Sequence, residues 1–239
     1  MNIVVPTILT NSQDDLEGKL ARVSGLVNAV QIDVVDGRFA TPATWPYADH
    51  ERALARAGEH GWLKSFGSFR YEIDLMVEAP EESAGFWIDA GATALVVHIE
   101  STRYLPRLIN ELKSKYGYEK GFAPDLLSFG LALNIGTDTS AIEPFLESVD
   151  YVQFMGIKTI GRQGQPFDPS VLRKITTFRK KYPDLLIQVD GGASLRTAAD
   201  LLDAGVDRLV VGSDLWEETD IEAELGRFAQ IAEEHGRYV

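Results

Sequence analysis

Asp33 and Asp190 each stand at the end of an apolar, strand-like run. The first run is Val30-Gln31-Ile32-Asp33-Val34-Val35-Asp36-Gly37; the second is Leu186-Ile187-Gln188-Val189-Asp190-Gly191-Gly192. A carboxylate at the end of a buried strand is costly unless it is paired, bound to metal or used in chemistry. Two such groups, far apart in sequence but alike in setting, point to a pair that meets at one site. Opposed carboxylates can pass protons at a carbon held between them. The competing reading is two strand-end turns, each Asp capping the next helix.

Positioning these acids falls to strand-like and helix-like runs that alternate along the chain. Strands are expected at Ile3–Leu9, Ala29–Val34, Arg70–Met76, Ala94–Ile99, Phe129–Leu133, Tyr151–Met155, Leu185–Val189 and Arg208–Val211. They are short, apolar and β-branched, as strands buried on both faces are. Helices are expected at Gln13–Val23, Pro46–His60, Pro80–Ala90, Arg103–Tyr116, Thr139–Leu146, Pro169–Lys181, Leu195–Ala204 and Ile221–His235. Asp168-Pro169 and Ser194 read as start signals, Gly91 and Gly205 as stops. Eight such units predict a closed (β/α)₈ TIM barrel, with an open doubly wound sheet as the alternative. Tyr118–Ser128 is the loosest connection. Residues 1–239 read as one barrel domain, because no linker or low-complexity segment divides them.

Composition narrows the partners. The chain has 239 residues, 45% of them hydrophobic, no cysteine and a net charge of −13. That charge argues against a general nucleic-acid surface. No run approaches a membrane-spanning length, and the N-terminal stretch lacks the basic segment of a signal peptide. A cytoplasmic setting is expected. Any phosphate must be held locally, by backbone N–H groups and a few basic side chains.

Other candidates carry less chemistry. His98 reads as a hydrogen-bonded strand-end residue rather than a base. His50, His60 and His235 have no ligand spacing. Asp36 reads as a cap or organiser of the loop after the second strand. Trp45, Trp62, Trp87 and Trp216 read as packing. Arg179-Lys180-Lys181 reads as a solvated helix end. Gly161 and Gly164 form no nucleotide fingerprint.

Several strand ends, taken in order, resemble those of the ribulose-phosphate 3-epimerase family. Pro6-Thr7-Ile8-Leu9 is similar to its Pro-Ser-Ile-Leu, and Gln31-Ile32-Asp33-Val34-Val35-Asp36-Gly37 to its His-x-Asp-x-Met-Asp-Gly. Glu72-Ile73-Asp74-Leu75-Met76 lies where the family has Asp-Val-His-Leu-Met. Val97-His98-Ile99-Glu100, Leu133-Asn134-Ile135-Gly136-Thr137, Val189-Asp190-Gly191-Gly192 and Val210-Val211-Gly212-Ser213 complete a likeness running from about Val5 to Ser213. The resemblance implies a TIM barrel of the ribulose-phosphate-binding type and an isomerase of pentose-phosphate metabolism. Its reaction would interconvert ketopentose 5-phosphates at C3, with Asp33 and Asp190 serving opposite faces of the sugar and a divalent metal stabilising the enediolate.

The chain departs from the family at the metal. The family binds it with two histidines and the two aspartates; here Gln31 and Asp74 replace the histidines. The implied set of Gln31, Asp33, Asp74 and Asp190 is harder than the family's, favouring manganese or magnesium over zinc, or no metal. Without metal, three close carboxylates repel and one stays protonated. By the same resemblance, Thr7, Met76, Met155, Gly164, Gln165, Gly191, Gly192, Gly212 and Ser213 would bind substrate. Val35 replaces a methionine that caps the site. The loop Lys158–Gln165 is remodelled, and Lys158 and Arg162 either grip phosphate or belong to the surface. The expected partner is a phosphorylated sugar, with neither nucleic acid nor membrane, and a homo-oligomer is allowed. The alternatives are a catalytically silent phosphosugar-binding or regulatory homologue, and a lyase-type barrel such as a hexulose-phosphate synthase. Asp33-Val34-Val35-Asp36 lacks the lysine that those lyases place between their acids.

Overall fold

Eight parallel strands pair in chain order and close on themselves: β1 (Val4–Leu9), β2 (Ala29–Val35), β3 (Arg70–Met76), β4 (Ala94–His98), β5 (Ser128–Leu133), β6 (Tyr151–Met155), β7 (Leu186–Asp190) and β8 (Arg208–Val211). Closure is made by β8 against β1, with Val210 opposite Val5. The computed structural model describes residues 3–48 and 61–236. Every expected strand is present, to within one residue at each end.

The strands are buried on both faces, but the two faces differ. Outward positions such as Ile32, Val34, Ile73, Leu75 and Val189 join one apolar core with the helices. Inward positions on β2, β3, β6 and β7 carry Gln31, Glu72, Gln153 and Gln188, all buried. Period-two alternation sends the two sets apart. Gln188 and Gln31 approach to 3.5 Å although β7 and β2 are not neighbours, so these side chains fill the barrel's interior. Val96, Ala132 and Tyr151 make a separate small apolar cluster.

The helices lie between the strands: α1 (Gln13–Val23), α2 (Ala84–Ala90), α3 (Leu105–Tyr116), α4 (Ser170–Lys181), α5 (Ala198–Ala204), α6 (Ser213–Glu217) and α7 (Ile221–His235). In α1 the buried Leu16, Leu20 and Val23 fall on one face, and Ser12 caps the start by accepting from Asp15 N at 3.2 Å. Gly91 and Gly205 end α2 and α5 in the left-handed region, as their stop-signal reading requires. Asp168 Oδ1 accepts from Ser170 N at 3.0 Å at the start of α4. Among the described residues no helix is long and apolar enough to cross a membrane.

Four expectations change. Thr139–Leu146 is two 3₁₀ turns, Thr139–Ala141 and Glu143–Ser148, because Asp138 caps a tight first turn and Pro144 starts the next. Pro80–Ala90 opens with a 3₁₀ turn before α2. The helix expected from Leu195 begins at Ala198, since Thr197 Oγ1 accepts from Ser194 N and donates to Gly192 O, holding a turn. Arg179 is not solvated: it donates to the carbonyls of Gly205, Tyr182, Pro183 and Leu185 and pairs with Asp207. Free carbonyls where the chain turns from α4 into β7 draw the guanidinium inward. Pro46–Ala48 lies in a turn, and the rest of the expected second helix, with His50 and His60, lies outside the described residues.

Gly130 decides how the lower barrel packs. A Cβ there would run into the Tyr151 ring. That ring in turn carries the Arg208 guanidinium 4.7 Å from its centroid. Gly130→Ala is expected to lower stability by about 1–3 kcal/mol through overpacking. Urea unfolding measures the loss, and Tyr151→Leu in the same chain should recover part of it. Additive losses in that double-mutant cycle would show that the two residues do not oppose each other.

Candidate active site

The C-terminal ends of the strands bring three carboxylates together. Register places Asp33 opposite Asp74, and Asp190 opposite both Met155 and Val210. One oxygen from each of Asp33, Asp74 and Asp190 lies within 4.8 Å of the others, and all three residues are buried. Thr7 Oγ1 donates to Asp33 Oδ1 at 2.7 Å. Gln31 Nε2 donates to Asp33 Oδ1 at 2.8 Å and to Asp190 Oδ2 at 3.1 Å, bridging the two acids from below. Gln153 Nε2 donates to Asp74 Oδ2 at 2.7 Å.

His98 closes this group on the β4 side. It is fully buried, with Nε2 3.2 Å from Asp74 Oδ1 and Nδ1 3.8 Å from Glu100 Oε2. Both contacts are ion pairs when the imidazole is protonated, and neither meets hydrogen-bond geometry among the described residues. His98 was expected to be hydrogen-bonded; here it is held by charge and by the Phe39 ring 5.4 Å away. Phe39 belongs to the loop after β2. Asp36 builds that loop by accepting from the N–H groups of Arg38, Phe39 and Glu78, which bears out its organising role.

Burial and mutual repulsion set the protonation of the acids. Burial first, then the charge of Asp74, pushes the Asp33 carboxyl up to about 7, against the pull of Thr7 and Gln31. Asp190 is raised well above its ordinary value by burial, then by Asp33 and Asp74. Burial opposes charge on His98, but Asp74, Glu100 and Asp33 outweigh it and raise its pKa. At neutral pH this group therefore holds protons among its carboxylates, and a proton comes and goes at little cost.

Above the acids lies a cavity of about 260 Å³. Thr7, Asp33, Met76, Met155, Gly164, Gln165, Asp190, Gly191, Gly192, Gly212 and Ser213 all line it. Gly191 and Gly192 have φ of 90° and 73°, and Cβ atoms there would meet Ile157 at 2.6 Å and Phe167 at 2.8 Å. Only glycine fits, which leaves main chain facing the cavity. Gln31 and Asp74 lie beneath the lining, packed in the barrel. Lys158 is exposed and 3.5 Å from Asp168, whereas Arg162 lines the cavity and donates to Thr41 O at 2.9 Å. The Leu133–Thr137 motif supports rather than lines: Asn134 N donates to Glu100, and Lys174 holds the Asn134 and Ile135 carbonyls.

Other site features were not singled out from the sequence. Gln163, Arg196, Thr197 and Asp214 line the cavity, and Glu72, Gln153 and Gln188 lie below it. The strict alternation Glu72-Ile73-Asp74 and Gln188-Val189-Asp190 was the available signal for the lower layer. Trp216 does more than pack, since its indole N–H donates to the Thr7 carbonyl at 2.7 Å and ties α6 to β1. Trp45, Trp62 and Trp87 are buried packing. His235 sits at the surface beside Asp203.

The donor set suits a hard divalent cation, because three buried carboxylates converge, with His98 Nε2 3.2 Å from Asp74 Oδ1 on the far side. The triad could therefore hold a metal, whereas Gln31, expected as a fourth ligand, turns its Nε2 to Asp33 and Asp190 and its oxygen down toward Gln188.

Comparisons with known proteins bear on the fold and the family. Among solved structures, 3-hexulose-6-phosphate synthase from Salmonella typhimurium superposes with a TM-score of 0.68 at 16% identity, covering 97% of this chain and 99% of that one. KGPDC from Streptococcus mutans gives 0.67 at 14% identity over 97% of each chain. At such identities the likeness speaks for the barrel alone. Sequence relatives go further. Ribulose-phosphate 3-epimerase of Schizosaccharomyces pombe is 31% identical over 88% of this chain and 85% of its own, and that of Aquifex aeolicus 29% identical over 97% of both. With the profile of the ribulose-phosphate 3 epimerase family matching residues 3–216, this chain belongs to that family.

Proposed function

We propose that this barrel is a sugar-phosphate epimerase in which Asp33 and Asp190 move a proton at one carbon of a ketopentose 5-phosphate. The carrying observation is that both acids, from strands on different sides of the barrel, converge under the cavity that Gly191, Gly192, Gly212 and Ser213 line. One carboxylate takes the proton from one face of the sugar, and the other returns a proton to the opposite face. Their raised pKa values support a neutral-pH division in which one is protonated while the other is not. Thr7 and Gln31 hold the pair in place, and Met76 and Met155 keep water from the carbon. The glycine loops supply main-chain N–H groups for phosphate, with Arg162 and Arg196 at the rim. A cation on Asp33, Asp74 and Asp190, of the manganese or magnesium kind, would neutralise charge developing on the sugar oxygens.

A second reading, a phosphosugar-binding protein without catalysis, draws on the replacement of both family histidines by Gln31 and Asp74. Proton exchange separates the two. Wild-type protein should exchange the substrate C3 proton with deuterated solvent in the presence of Mn²⁺ or Mg²⁺. Asp33→Asn and Asp190→Asn should each lose about 10²–10⁴-fold of that rate. Binding of ketopentose phosphates without exchange under any metal would hand the site to the binding reading.

The anion site has its own test. Gly212→Asp adds bulk and negative charge where a Cβ already meets Thr7 at 3.2 Å. Phosphosugar binding should vanish while circular dichroism still reports a folded barrel. Affinity equal to wild type would place the phosphate elsewhere.

The raised acids also make a stability prediction for chelator-treated protein. Asp33 titrates at about 7 when folded and at about 3.9 when unfolded. Between these values the folded state holds more protons, so stability falls as pH rises from about 4 to 7. Asp33→Asn should flatten that fall in denaturant titrations. A slope unchanged in the variant would assign it to other groups.

A further inference from the structure

Beneath the carboxylates, the barrel is filled by amides whose hydrogen bonds all run one way. Gln188 on β7, fully buried, is the hub. Its Nε2 donates to Glu72 Oε1 at 2.7 Å and to Gln153 Oε1 at 2.6 Å, and lies 3.5 Å from Gln31 Oε1. Among the described residues its own Oε1 has no hydrogen-bond partner. Turning the amide over would set oxygen against a carboxylate oxygen and an amide oxygen at those same short distances. One orientation survives, although it leaves a buried acceptor unmade.

That orientation propagates upward. Gln153 turns its oxygen toward Gln188, so its Nε2 faces Asp74 Oδ2 at 2.7 Å. Gln31 turns its oxygen the same way, so its Nε2 faces Asp33 Oδ1 and Asp190 Oδ2. Glu72 starts the chain. It offers Gln188 an acceptor and is itself paired with Arg208 at 3.4 Å, which rests on Tyr151. Each carboxylate of the triad thus receives an N–H from below, and Asp74 Oδ1 faces His98 Nε2 at 3.2 Å.

We infer that Gln188 is a positioning residue: oriented by Glu72, it fixes Gln153 and Gln31 as donors and so sets the three aspartates to receive a hard divalent cation. The inference rests on the triad being the active centre. The partners that orient metal-binding side chains are typically worth about 10–100-fold in metal affinity. Here the support comes from a relay two side chains deep rather than from the neighbours of the aspartates alone.

The test is an isosteric swap, Glu72→Gln with Gln188→Glu. It conserves volume and net charge but reverses the relay. The carboxylate then at position 188 demands a donor from Gln153, which must turn its oxygen toward Asp74. Mn²⁺ affinity is read by calorimetry and folding by thermal melting, neither needing turnover. The swap is expected to melt close to wild type and to bind Mn²⁺ about 10–100-fold more weakly. If the swap fails to fold, Gln153→Leu, which removes the donor to Asp74 together with one acceptor of Gln188, is read the same way. Wild-type affinity in the folded variant overturns the relay while leaving the epimerase reading intact. Wild-type protein that takes up no Mn²⁺ removes the cation the relay is inferred to serve and also overturns it, whereas the epimerase reading stands or falls by proton exchange.

Discussion

Three carboxylates buried within 4.8 Å of one another are the constraint on which the rest of the barrel mouth depends. Desolvation and mutual repulsion both act against their charged forms. The fold answers with donors placed on every side. Thr7 and Gln31 reach Asp33, Gln31 also reaches Asp190, Gln153 reaches Asp74, and His98 stands beside it. These groups lower the cost of ionisation without abolishing it. Burial and repulsion still prevail at Asp33 and Asp190, whose pKa values stay raised.

The polar layer explains why the barrel interior is not an ordinary apolar core. A closed barrel of this size must be filled by side chains. Apolar filling would leave the acids unsupported, since buried polar atoms need partners within reach. Gln31, Gln153, Gln188 and Glu72 fill the space and supply those partners at once. Below them, Tyr151 packs against the space left by Gly130 and supports Arg208, which anchors Glu72. Packing at the floor and chemistry at the mouth are therefore linked through one column of side chains.

Membership in the ribulose-phosphate 3-epimerase family fixes the ancestry and the barrel, while the same barrel serves a hexulose-phosphate synthase and other sugar-phosphate enzymes. What individualises this chain lies at a few inward positions. Where the resemblance implies imidazoles stand Gln31 and Asp74; Gln31 turns its amide N–H to Asp33 and Asp190, which leaves the three carboxylates as the oxygen donors that converge. The loop from Lys158 to Gln165 is rebuilt as well, and Arg162 fastens it to the loop after β2 through Thr41. Residues 161–165 of this loop line the cavity above Asp33 and Asp190.

The sequence alone determined the strands, because short apolar runs bounded by glycine and helix caps are local signals. It also determined the acid pair, since a carboxylate closing an apolar run is conspicuous at any distance. Period-two spacing put Gln31 and Asp33 on one face of β2, but which face, and what stood opposite, depended on how the barrel closed. Only the tertiary structure brought β7 across to β2, and so made Gln188 the centre of an amide relay and Gln153 the partner of Asp74. Arg179 was misread for the same reason: its partners are carbonyls contributed by a turn and by Gly205, outside its own helix. Local pattern records what each residue prefers; which unlike groups satisfy one another inside a closed barrel is settled by long-range register and burial.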